Sequence, residues 1–160
     1  MKPLRQLNPG LQSFERGVSL LEVLIAVVVL SIGLLGLAGL QLSSLRNNQS
    51  AAERSTAIMH IYSIAEAMRA DREAAQRGDF EIDIEADAPT GTSFAAVQIS
   101  AWRAGLEESL GTSASGSIAC ENTDVTATFS FTTCTVTIRW DDSLGLGGSS
   151  AQTLTTEVEI

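Results

Sequence analysis

Charged residues are absent from Val23 to Leu45, and Val18 to Leu42 form one apolar segment with a single acid, Glu22, near its start. Wound as a helix, this segment would be about 37 Å long, enough to cross the roughly 30 Å hydrocarbon layer of a bilayer. Beyond it the pattern changes without breaking. Ile58, Ile61, Tyr62, Ala65 and Met68 follow helical spacing, while Arg54, Glu66, Arg69 and Arg72 fall on polar positions. Neither Pro nor Gly occurs between Leu40 and Arg77, so the pattern predicts one helix from about Val18 to about Gln76, with Gly78 ending it. Such a helix would be about 88 Å long. Residues 18–42 would be its membrane half, and the amphipathic half would back a domain covering residues 43–160.

In that domain, Phe80, Ile82 and Ile84 alternate with Glu81, Asp83 and Glu85, which predicts an extended segment with one wet acidic face. Pro89, Thr90 and Gly91 predict a turn. Residues 93–110 carry Phe94, Val97, Ala101, Trp102, Leu106 and Leu110 at helical spacing, with Trp102 as the core anchor. Gly111 to Gly116 is expected to be a loop. Val125, Ala127, Phe129 and Phe131 predict one strand and Val136, Ile138 and Trp140 another, joined through Thr132 and Thr133. After the glycine and serine loop from Asp141 to Ser150, Leu154, Thr156, Val158 and Ile160 predict a closing strand. The expected class is α+β: a long N-terminal helix packed on a small antiparallel sheet in residues 117–160.

Length and charge narrow the picture. A chain of 160 residues with a membrane-length segment has room for one modest domain. The net charge is -9; residues 1–17 hold Lys2, Arg5 and Arg16 against Glu15, so the remainder carries -11. That balance disfavours nucleic acid as a partner. The basic end would stay in the cytoplasm and the acidic body would cross the membrane. Residues 1–17 show no periodicity and are expected to be a leader. Ordinary signal cleavage near Gly36-Leu37-Ala38 is the alternative, opposed by the length of the apolar run and its continuation as helix. Gly33, Gly36 and Gly39 have two readings: small residues that let membrane helices approach, or a locally weak helix that can stretch.

Candidate chemistry is sparse. The acids of residues 79–87 lack the glycine and closing ligand of a calcium loop, which favours a solvated face over a cation site. His60 is the only histidine, so a site needing several imidazoles cannot be built, and no metal or cofactor is expected. No glycine loop with a lysine is present to cradle phosphate. Cys120 and Cys134 both lie in the exported part, where a disulfide would close a loop of about fifteen residues and stabilise it by about 3 kcal/mol. Two buried thiols are the alternative; a redox site lacks the Cys-x-x-Cys spacing. Neither catalytic residues nor a small-molecule substrate is indicated.

Arg16-Gly17-Val18-Ser19-Leu20-Leu21-Glu22 with the apolar run after it resembles the leader and N-terminal helix of type IV pilins and related pseudopilins. The resemblance implies cleavage by a prepilin peptidase between Gly17 and Val18 and N-methylation of Val18, leaving Glu22 as the glutamate at the fifth mature position. It also implies an amine about 6 Å from Glu22 along the helix, able to neutralise a neighbouring subunit's carboxylate during assembly. Residues 31–41, the Trp102 helix and Arg139-Trp140-Asp141 are similar to minor pilins. Val18 stands where phenylalanine is more usual, and Gly39 where major pilins often have a kinking proline; the second departure fits a minor subunit.

The implied partners are other minor and major pilins, the peptidase and an inner-membrane assembly platform. The implied location is the inner membrane, with a cytoplasmic N-terminus and periplasmic domain, and then the pilus fibre. A minor pseudopilin of a type II secretion system shares the features of the first forty residues. A tip-displayed binding pilin is a third possibility, with the Asp141 to Ser150 loop as its most exposed candidate.

Overall fold

The computed structural model describes the backbone of residues 17–126 and 129–160, and the side chains of residues 17–122 and 132–160. The chain divides into two compact units, Met1–Gln41 and Leu42–Ile160. The element order is α1 (Leu20–Ala70), α2 (Arg72–Gln76), α3 (Phe94–Leu110), β1 (Ser115–Thr126), β2 (Phe129–Trp140) and β3 (Gln152–Glu159). A long N-terminal helix packed on a three-stranded antiparallel sheet is a pilin-like α+β arrangement.

In the first unit, α1 is apolar on all sides and its large side chains are exposed, Leu20 by 91% and Leu35 by 74%. Leucine, isoleucine and valine all round a helix leave no polar face for water, the pattern of a segment buried in lipid or a bundle. The most apolar window of α1 has a mean hydropathy of 2.8, so the helix is long and apolar enough to cross a membrane.

In the second unit, α1 buries one stripe: Ala57, Ile61, Ile64, Ala65 and Met68. These side chains meet Phe80, Ile99, Trp102, Leu106, Ile118, Val136, Ile138 and Trp140 in a single core. Each large apolar side chain removed from water here contributes about 1.5–3 kcal/mol. The strands lie in the order β1-β2-β3. Ile118 pairs with Val136, and Ile138 with Leu154, so the even-numbered positions point into the core. The opposite face carries Ser117, Thr135, Thr137, Thr155, Glu157 and Glu159, the last three of them exposed.

Several sequence expectations are corrected. The helix expected to run from Val18 to Gln76 starts at Leu20 and breaks at Asp71, whose φ of -129° is not helical. The short Asp71 carboxylate accepts from Ala74 N at 3.2 Å and caps a new helix instead of continuing the old one. Gly78 ends α2: at a φ of 81° it lets Asp79 N donate back to Ala74 O, a reversal that favours glycine.

Residues 79–87 alternate as a strand would, yet they form one isolated bridge, between Ile82 and Ile118, and otherwise turn. Their carbonyls are taken by side chains. Arg103 donates to Asp83 O and Ala86 O, and Ser115 Oγ donates to Ile84 O.

The Gly111 to Gly116 loop is shorter than expected, because β1 already begins at Ser115. Gly116 must be small: a Cβ there would lie 2.3 Å from Trp102 Cη2. The reversal between the paired strands also falls elsewhere. Thr132 and Thr133 lie inside β2, opposite Asn122 and Glu121, and the strands join between Thr126 and Phe129. Thr132 is fully buried and still satisfied, since its hydroxyl donates to Asn122 Oδ1 at 2.7 Å. The side chains of Val125, Ala127, Phe129 and Phe131, expected to alternate, fall outside the described residues, as do residues 1–16 of the leader.

Candidate processing and assembly site

The first unit places Gly17, Val18 and Ser19 ahead of the helix, exposed and non-helical. α1 starts at Leu20 because Ser19 supplies the acceptors of its first turn. The Ser19 carbonyl accepts from Glu22 N at 3.0 Å and Val23 N at 3.3 Å, and Ser19 Oγ accepts from Glu22 N at 3.2 Å. A serine followed three residues later by a glutamate has the spacing of a capping box. Val18 is thus outside the helix, and a separation from Glu22 measured along a helix axis does not apply.

Glu22 lies in the first turn of α1, where unpaired backbone N–H groups make the helix end electropositive. A carboxylate is favoured there by about 0.3–1 kcal/mol, which offsets part of what an acid costs near the edge of a hydrocarbon layer. Further along, Ser31 Oγ donates to Val27 O at 2.7 Å, so that hydroxyl needs no outside partner. Gly33, Gly36 and Gly39 have open space where a Cβ would project, which leaves both readings of these glycines standing.

The second unit holds the remaining candidates. Cys120 and Cys134 are directly opposed on β1 and β2, with Cα atoms 4.0 Å apart, and their sulfurs are bonded. His60 faces α3, where its Nε2 lies 2.9 Å from Ser109 Oγ and burial pushes its imidazole below the ordinary value. Among the described residues no three His, Cys, Asp or Glu side chains gather as metal ligands would. The acids of residues 79–87 are exposed, and Glu85 pairs with Arg139 at 2.6 Å. That hydrogen bond holds the Glu85 carboxyl below its usual range.

Sequence reasoning missed Ser19, although Ser19-Leu20-Leu21-Glu22 signals its role. It also missed the Asp142 anchor. Asp142 is 3% exposed and accepts from Ser50 Oγ at 2.6 Å, which fastens the Asp141 to Ser150 loop to α1 within the second unit. Leu144 and Leu146 remain exposed on that loop, by 75% and 62%.

Residues 13–38 match the prokaryotic N-terminal methylation motif, a type IV prepilin-like signature that includes Gly17, Val18, Ser19 and Glu22. The motif supports a type IV pilin- or pseudopilin-like protein processed by a prepilin peptidase, and it fits assembly with other pilins. Membrane anchoring by the apolar helix fits the same motif. No curated protein and no solved structure matches the chain.

Proposed function

We propose that this chain is a minor pilin of a type IV pilus, most like the type IV pilus modification protein PilV. The observation that carries the reading is the arrangement of residues 17–22: an exposed, non-helical Gly17–Val18 bond, a capped helix start, and one acid in the first turn of an otherwise apolar segment. The inner membrane would hold the uncut subunit with its N-terminus in the cytoplasm and its acidic domain in the periplasm. Water adds across the Gly17–Val18 amide, leaving a carboxyl on Gly17 and an amine on Val18. A methyl donor of the sulfonium class then alkylates that amine, which gives up a proton.

The new amine is positive and Glu22 is negative. Within lipid each is costly, and a neighbouring subunit offers the opposite charge in a place where water does not compete. The pair therefore favours transfer from lipid into a fibre and fixes the axial register between subunits. The exposed apolar surface of the first unit would be covered by its equivalents in other minor and major pilins, at an assembly platform in the membrane. The subunit would join a priming or tip complex that supports pilus assembly and twitching motility.

Mass spectrometry of the mature protein tests the processing: an N-methylated Val18 terminus is expected, and a terminus near Gly39 or an intact leader would overturn it. Deleting the gene while scoring surface pili, twitching and secretion separates the readings. Loss of secretion with normal pili would make the chain a pseudopilin of a type II secretion system. If pili assemble normally and adhesion alone is lost, a tip-displayed binding pilin replaces the priming role.

A further inference from the structure

We infer that Ser19 is a positioning residue for leader removal: it ends α1 one residue after the scissile bond and keeps Gly17–Val18 in a form that a peptidase can take. The inference rests on the reading that this bond is cut. If α1 ran one turn further back, the N–H of Glu22 would donate to the carbonyl of Val18 and that of Leu21 to the carbonyl of Gly17, since helical bonds join each N–H to the carbonyl four residues earlier. The scissile amide would then be wound into the helix and its carbonyl occupied. Ser19 prevents this by taking the Glu22 N–H twice, through Oγ at 3.2 Å and its own carbonyl at 3.0 Å.

The need for such a stop follows from the neighbouring residues. Leu20 and Leu21 are good helix formers, and from Leu20 the helix runs unbroken for 51 residues. Nothing in that run opposes growth toward the N-terminus except the residues at its start. Gly17 disfavours helix by its backbone freedom, but it precedes the scissile bond and offers no acceptor for the first turn. Ser19 follows that bond and supplies the acceptors, and Glu22 stands at the third helical position, where an acid strengthens a serine cap. After cleavage the same cap leaves the Val18 amine on non-helical chain, free to turn toward a neighbouring carboxylate.

The experiment uses the full-length chain in membranes with a prepilin peptidase, and leader loss is followed by mobility on a gel. Ser19→Ala, which removes the acceptor and favours helix, is expected to slow the initial rate roughly fivefold, while Ser19→Thr and Ser19→Gly, both good capping residues, stay within about twofold of wild type. Equal rates for Ser19→Ala and wild type would overturn the inference. So would a Ser19→Gly as slow as Ser19→Ala, because the peptidase would then be reading the hydroxyl. An uncut wild-type chain would instead overturn the proposed function. NMR of the uncut chain in micelles gives an independent measure. Helical shifts should begin at Leu20 in wild type and move to Gly17 or Val18 in Ser19→Ala; an unmoved helix start would overturn the inference even where a variant inserts poorly.

Discussion

Trp102 Nε1 donates to the main-chain carbonyl of His60 at 3.1 Å, so a side chain of α3 is hydrogen-bonded to the backbone of α1. The contact is close because two glycines make room for it. A Cβ on Gly105 would lie 3.0 Å from His60 Cε1, and one on Gly116 would lie 2.3 Å from the Trp102 ring. Helix, helix and sheet therefore meet around one indole.

Two substitutions separate the parts of this contact. Trp102→Phe keeps most of the ring and loses the donor, and should destabilise the mature protein by about 1 kcal/mol. Gly116→Ala forces the ring to move and should cost about 1–3 kcal/mol. Thermal unfolding followed by circular dichroism is expected to rank Gly116→Ala below Trp102→Phe, and both below wild type.

Arg103 holds residues 83–86 by their carbonyls rather than by their acids. It is 9% exposed, and burial pushes its guanidinium below the ordinary value. Arg103→Met should leave the carbonyls of Asp83 and Ala86 without their donor, at a cost of about 1–3 kcal/mol. Hydrogen exchange should show protection lost at Ile82 and Ile118, the bridged pair, before it is lost in β2.

Replacing Cys120 and Cys134 together by serine should lower stability by about 3 kcal/mol. Reductant applied to the wild type should give the same shift in unfolding midpoint. A midpoint unchanged by either treatment would mean that the bond adds nothing to the hairpin.

Stability should also depend on pH through His60. Burial lowers its folded pKa beneath the unfolded value of 6.5, so the unfolded chain binds the proton first as pH falls. The contribution is fully present above 6.5 and is lost as pH drops through the lower folded value. His60→Gln should flatten this part of the profile. The carboxyl of Glu85, also lowered, loses its contribution in the more acidic range below 4.5.

Much of the fold was legible because its signals are local. The helix expected over residues 93–110 is α3, with Ser93 and Gly111 at its caps and Trp102, Leu106 and Leu110 buried. Phe94, Val97 and Ala101 of the expected apolar face are nevertheless exposed, and Ile99 is buried instead. Residues 79–87 were misread because a period of two reports which side chains are wet, not where the carbonyls go; those are captured by Arg103 and Ser115, distant in sequence. The hairpin was misplaced because Thr132 looks polar, whereas its buried hydroxyl is satisfied by Asn122 across the strand pair. At the N-terminus the apolar run and Glu22 were plain, but the helix start was not. A serine cap decides it, and hydrophobic periodicity is blind to a single hydroxyl.

The sheet ends at β3, whose exposed Glu157 and Glu159 flank the buried Val158 near the end of the strand. An open strand edge is a template for another copy. In an antiparallel pairing centred on this end of β3 the two glutamates would meet their own images, and like charges directly opposed are destabilising. The edge is thereby self-repellent, which discourages these subunits from zipping together through their sheets.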